Sequence, residues 1–194
     1  MKAHSLLAVS AVAAWAGLVA AGFAAWDRYD RTPGAPGTAP PPGPPTGPGV
    51  TAYLHPHCPC SRATIAELAA LARDRGPTPT VAFVLPPGTE PGWESGPALD
   101  AAARAGLAVR CDAGGAEARA NGAATSGHVV ARDAAGRVAF SGGVTPARGR
   151  TGECPGRGAV AAVLAGGEPL VPDAPVFGCP LFSPACEREG PCRP

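Results

Sequence analysis

The run Val50-Thr51-Ala52-Tyr53-Leu54-His55-Pro56-His57-Cys58-Pro59-Cys60 is followed at helical spacing by Ile65, Leu68, Ala69, Leu71 and Ala72. The β-branched and aromatic residues from Val50 to Leu54 predict a strand, the proline-punctuated hexapeptide a tight turn, and the apolar periodicity after it a helix. Two thiols therefore fall at the first turn of a helix. Backbone N–H groups there have no intrahelical partner, and together with the helix dipole they favour a thiolate.

Downstream, the helix should stop near Gly76-Pro77, and Thr80 to Leu85 reads as a buried strand ended by Pro86-Pro87-Gly88. Pro97 to Gly106 has a proline start, an alanine-rich body and a glycine stop, which predicts a second helix. Leu107 to Arg110 is a short strand, and Ala116 to Ala120 at most a couple of helical turns. His128 to Arg132 and Arg137 to Ser141 flank the turn Asp133-Ala134-Ala135-Gly136 and form a hairpin. Gly158 to Ala165 is a last helix before a tail rich in proline and cysteine. Strands alternating with helices imply parallel pairing and the hairpin adds antiparallel edges, so the expected fold class is α/β, a mixed sheet flanked by helices.

Upstream, Leu6 to Trp26 contains Ser10 as its only plainly polar side chain, and at about 1.5 Å per residue such a helix crosses the roughly 30 Å hydrocarbon layer. Val19-Ala20-Ala21 offers a cleavage site, but the length favours an uncleaved anchor. Lys2 precedes the span, while Asp27, Arg28, Asp30 and Arg31 after it cancel. The positive-inside bias then leaves the amino terminus in the cytoplasm and the bulk of the chain outside. Thr32 to Gly49 is almost wholly proline and glycine and reads as an extended spacer. The expected organisation is an anchor at 1–31, a linker at 32–49, a folded domain at 50–168 and a tail at 169–194.

Formal net charge is +1 and Lys2 is the only lysine of 194 residues. No basic stripe can neutralise a phosphate backbone, so nucleic acid is not an expected partner. The pair Gly142-Gly143 has no Gly-Lys-Ser/Thr context for a phosphate loop. No Gly-x-Ser-x-Gly or His-Glu-x-x-His arrangement is present, which sets hydrolase chemistry aside.

A strand, a Cys-Pro-Cys at a helix start, two βα units and a closing hairpin with a helix together resemble the thioredoxin-like superfamily. Within it, His55 to Cys60, Trp93-Glu94, Ala123 to Gly127, Phe140-Ser141-Gly142-Gly143 and Phe177-Gly178-Cys179-Pro180 are similar to the membrane-anchored bacterial proteins labelled RedB. The resemblance covers about residues 50 to 181. It implies a thioredoxin-like mixed sheet behind one transmembrane helix, held by the bacterial cytoplasmic membrane with the domain in the periplasm or outside the cell. It also implies dithiol–disulfide exchange with a protein partner and no organic cofactor. Two departures stand out. Aligned from the helix, Pro59-Cys60 matches the end of a Cys-x-x-Cys, which puts His57 where the attacking cysteine would be. Gly127, preceded by Ser126, stands where related reductases carry a cis-proline that helps keep metals off the dithiol.

For thiol exchange, Cys58 is the expected attacking thiol and Cys60 the resolving one, with His57, His55 or Arg62 able to steady a thiolate or shuttle a proton. With one intervening residue the ring is tight, so a Cys58–Cys60 disulfide should be strained and oxidising. The alternative is a copper or zinc site built from His55, His57, Cys58 and Cys60, completed by Cys179 or His128 from elsewhere. Cys111, Cys154, Cys186 and Cys192 carry no motif and read as structural, with a Cys186–Cys192 bridge in the tail. Cys179 lies in the apolar patch Val176 to Phe182, from which it either docks beside Cys58 as a third redox thiol or bonds Cys154. Trp93 reads as a loop-packing aromatic and His4 as a solvated flank.

Overall fold

The computed structural model describes residues 2–37, 47–75, 77–85, 92 and 95–182. Trp93-Glu94, the Gly76 and Pro86-Pro87-Gly88 stops, most of the proline-rich spacer, and Cys186 with Cys192 lie outside the described residues. The chain divides into two units, residues 1–32 and 33–194. The first is a single helix, α1 (Lys2–Asp30). It contains one stretch, Leu7–Asp30, long and apolar enough by length and composition to cross a membrane. Beyond it Arg31 pairs with Asp27 at 2.9 Å.

The second unit holds β1 (Gly49–Leu54), α2 (Ser61–Arg75), β2 (Thr80–Leu85), α3 (Pro97–Arg104), β3 (Ala108–Ala113), α4 (Ala116–Ala120), β4 (His128–Arg132), β5 (Val138–Gly143), α5 (Pro155–Leu164) and β6 (Asp173–Ala174). The six strands form one sheet in the order β3-β2-β1-β4-β5-β6. β1, β2 and β3 run parallel, β4 is antiparallel to both β1 and β5, and β6 lies parallel to β5. The hairpin therefore does not supply a sheet edge on its own. The two-residue β6 covers β5, and the sheet reaches into residues read from the sequence as tail. The last helix also starts earlier than its apolar pattern suggests, at Pro155, because Cys154 caps it with Sγ accepting the Arg157 N–H at 3.4 Å.

The period-two alternation along the strands sorts the core into two layers. Val50, Ala52, Leu54, Val81, Phe83, Val129, Ala131 and Phe140 face Ile65, Leu68 and Leu71 of α2, Ala98 and Ala102 of α3, and Val160 and Leu164 of α5. On the opposite face Tyr53, Ala82, Val84 and Val130 meet Ala118 of α4, Ala123 and Leu181. Burial on both faces explains why β1 and β2 read as nearly continuous apolar runs. The five-residue α4 persists because the Asp112 carboxylate accepts the N–H groups of Glu117 at 3.1 Å and Ala118 at 2.8 Å. α5 lies so close to β5 that a Cβ on Gly156 would sit 1.9 Å from the Gly143 carbonyl oxygen.

Candidate functional site

The hexapeptide leaves the end of the central strand β1 and enters α2 within six residues. Cys58 N–H donates to the His55 carbonyl at 3.1 Å, and Ser61 N–H to the Cys58 carbonyl at 3.1 Å. These bonds wind the turn tightly. Ser61 Oγ donates to the His55 carbonyl at 3.1 Å, and the Ser126 hydroxyl, 3.2 Å from Ser61 Oγ, accepts the His55 N–H at 2.9 Å. Ser126 is buried just before β4, the partner of β1, so strand pairing brings it under the loop. Gly127 after it holds φ at +102°, and its N–H donates to the Tyr53 carbonyl at 2.9 Å.

Cys58 is only 4 % exposed, whereas Cys60 is half-buried and His57 and Pro59 are exposed. The Cys58 thiol is nevertheless pulled from its usual value near 9 down to about 5. Its largest support is a hydrogen bond from the Cys179 thiol, joined by the N–H groups of Cys179 and Cys60 and by the Ser126 hydroxyl; burial works against them. Correspondingly, the thiolate raises the Cys179 pKa strongly, burial adds to the rise, and Arg148 opposes it. His55 is shifted down chiefly by burial, against which the Cys58 charge acts, and it accepts the His57 N–H on Nδ1 at 3.2 Å. The His57 ring lies 6.2 Å from that of His55, edge-on.

The structure assembles Cys58, Cys60 and Cys179 in one place and adds Ser61 and Ser126. Ser61 carries a legible signal, a hydroxyl at the first helical position after the motif. Ser126 stands beside the cis-proline position of the resemblance, but its hydrogen bonds to the loop follow only from strand pairing. His128 is directed elsewhere: it is buried, its Nε2 lies 2.8 Å from Ser141 Oγ, and burial lowers its pKa to about 4. Among the described residues no group of three or more His, Cys, Asp or Glu is arranged to hold a metal ion. No disulfide joins any of Cys58, Cys60, Cys111, Cys154 and Cys179. The expected structural pairing therefore does not hold for Cys111, exposed on the edge strand β3, or for Cys154, whose sulfur is used as a helix cap.

The fold and this loop define a mixed α/β protein whose cysteine cluster sits at the amino end of a helix. No family model matches the chain, and no curated protein matches it. Solved structures do share its architecture. A hypothetical protein from Sinorhizobium meliloti 1021 is 21 % identical, with 78 % of this chain and 93 % of that one covered and a TM-score of 0.53. An uncharacterised conserved protein from Geobacillus kaustophilus is 20 % identical, with 77 % and 93 % covered and a TM-score of 0.56. At these identities the likeness shows the fold alone.

Proposed function

We propose that this chain is a membrane-tethered, extracytoplasmic thiol–disulfide oxidoreductase of thioredoxin-like type that acts on protein thiols and disulfides through Cys58, with Cys60 beside it. The observation that carries the reading is the sulfur of Cys58, almost fully buried yet faced by four donors that lower its pKa. A thiolate stabilised to this degree is ionised at neutral pH and is a good leaving group, so a disulfide made through it is readily broken again. The parallel β1–α2–β2 unit and the antiparallel β4–β5 hairpin support the thioredoxin-like assignment, and the α1 stretch supports the tether. The lone Lys2 ahead of that stretch supports a cytoplasmic amino terminus and an exported domain.

Exposed His57 and Pro59 give a protein partner a surface to meet. Cys58 thiolate attacks a partner disulfide sulfur, one partner thiolate leaves and takes up a proton, and a second thiol of this chain then displaces the other. The test is reduction of insulin disulfides in the presence of dithiothreitol. Cys58→Ser should lower the stimulated rate at least ~100-fold, the scale expected for loss of an activated nucleophile. Full activity in Cys58→Ser would end this reading.

A further inference from the structure

Cys179 lies far from the hexapeptide in sequence, yet its segment is fastened to the site by backbone contacts. Ser126 N–H donates to the Cys179 carbonyl at 2.8 Å, Leu181 N–H donates to the Ala124 carbonyl at 2.9 Å, and Thr125 and Pro180 form an antiparallel bridge. Gly178 approaches so closely that a Cβ there would meet the Ser126 carbonyl oxygen at 1.9 Å. Arg148 donates to the Gly178 carbonyl, and Leu181 is buried in the second core layer. Ser126 thus joins both partners: its hydroxyl and its N–H tie the Cys58 loop and the Cys179 segment to one residue.

We propose that Cys179, not Cys60, is the resolving thiol for Cys58, so that the working redox pair is a reversible Cys58–Cys179 disulfide between the helix loop and the carboxy-terminal strap. This deepens the function proposed above and rests on it. Cys58 thiolate attacks one sulfur of a partner disulfide; the S–S bond breaks, the first partner thiolate leaves and takes a proton from solvent, and a mixed disulfide remains on Cys58. Cys179 then gives up its proton and attacks the Cys58 sulfur, and the second partner thiolate leaves and takes that proton. Two thiols of this chain are oxidised while one partner disulfide becomes two thiols, so two electrons pass outward.

The timing follows from the same contacts. While Cys58 is a thiolate, Cys179 donates its hydrogen to it and stays protonated. Once Cys58 is in a mixed disulfide that charge and that hydrogen bond are gone; burial and the Cys60 charge still favour the Cys179 thiol, but its largest restraint has been lifted and Arg148 pulls toward the thiolate. Cys60 sits too close along the chain to bridge Cys58 without a tight ring, whereas Cys179 comes from a separate segment bridged to Thr125 and Ser126.

The decisive experiment equilibrates the reduced full-length chain in detergent with glutathione disulfide, traps thiols with an alkylating agent and locates the bridge by peptide fragmentation. A Cys58–Cys179 bridge should be the majority internal disulfide in the wild-type chain and in Cys60→Ser. In Cys179→Ser the Cys58–glutathione mixed disulfide should accumulate at least ~10-fold, because an intramolecular attacking thiol has been removed. A majority Cys58–Cys60 bridge, or a wild-type mixed disulfide that is never resolved internally, overturns this inference and leaves thiol exchange standing. Absence of any oxidation at Cys58 overturns the proposed function itself. The wild-type bridge map does not depend on whether any variant folds.

Discussion

The Ser126 hydroxyl accepts the His55 N–H, contacts Ser61 and donates to the Cys58 sulfur, so one side chain links turn geometry to thiolate stability. Removing that donor should be visible in a titration. In Ser126→Ala, the Cys58 thiolate absorbance should titrate roughly one unit higher than in the wild type, since a hydrogen bond to a charged group is worth about 1.5 kcal/mol and one unit is about 1.4. The sign is set by linkage: the folded pKa is the lower one. Cys58 therefore contributes stability to the reduced protein that is fully present above its unfolded value near 9 and is lost as pH falls through about 5. An unchanged midpoint in the variant would show that the cysteine and backbone donors suffice. The two motif cysteines and their place at a helix start were legible from the hexapeptide, because turn and helix signals are local. The role of Ser126 was not, because it depends on the register that sets Tyr53 opposite His128.

Glu67 on α2 is 5 % exposed and accepts from Arg157 Nε on α5 and from the Gly152 N–H, each at 2.6 Å. Arg157 also reaches Glu153 at 2.6 Å. This pair ties the helix that presents the thiols to the last helix on the same face. Arg157→Met leaves a buried carboxylate without its counter-charge and should lower unfolding free energy by about 3 kcal/mol, measured by urea denaturation. Glu153→Gln, which removes only the exposed partner, should change it by less than about 0.5 kcal/mol. Helix and strand existence followed from periodicity and from proline and glycine punctuation. The early start of α5 did not, since Pro155-Gly156 reads as a break until the Cys154 cap and the close contact with Gly143 are known. β6 was invisible for a different reason: two residues carry no alternation, and Asp173–Ala174 is a strand only because β5 offers it an edge.

At the scale of the whole molecule, an apolar helix and a two-layered α/β sheet are joined through a proline-rich segment. The first residues of that segment belong to the folded unit. Gly34 N–H donates to the Val176 carbonyl at 2.8 Å, and Thr125 Oγ1 donates to the Ala35 carbonyl at 3.0 Å. If α1 is a membrane span, the full chain should stay with the membrane pellet through a sodium carbonate wash and enter solution only with detergent. Release by carbonate alone would remove the tether from the proposal. Residues 33–37 lie inside the spacer that the sequence predicts, since glycine and proline offer little side-chain surface to bury, yet backbone hydrogen bonds and close approach to Gly122, Thr125 and Val176 hold them.

The sequence by itself determined the strand–turn–helix that presents Cys58 and Cys60, the order of the major elements and the long apolar helix, since each rests on spacing within a few residues. Only the tertiary structure decided which groups stabilise Cys58, that Cys179 meets it, and that residues beyond the last helix complete the sheet. Those outcomes depend on strand register and on backbone hydrogen bonds between segments more than thirty residues apart, and no local pattern of side chains encodes them.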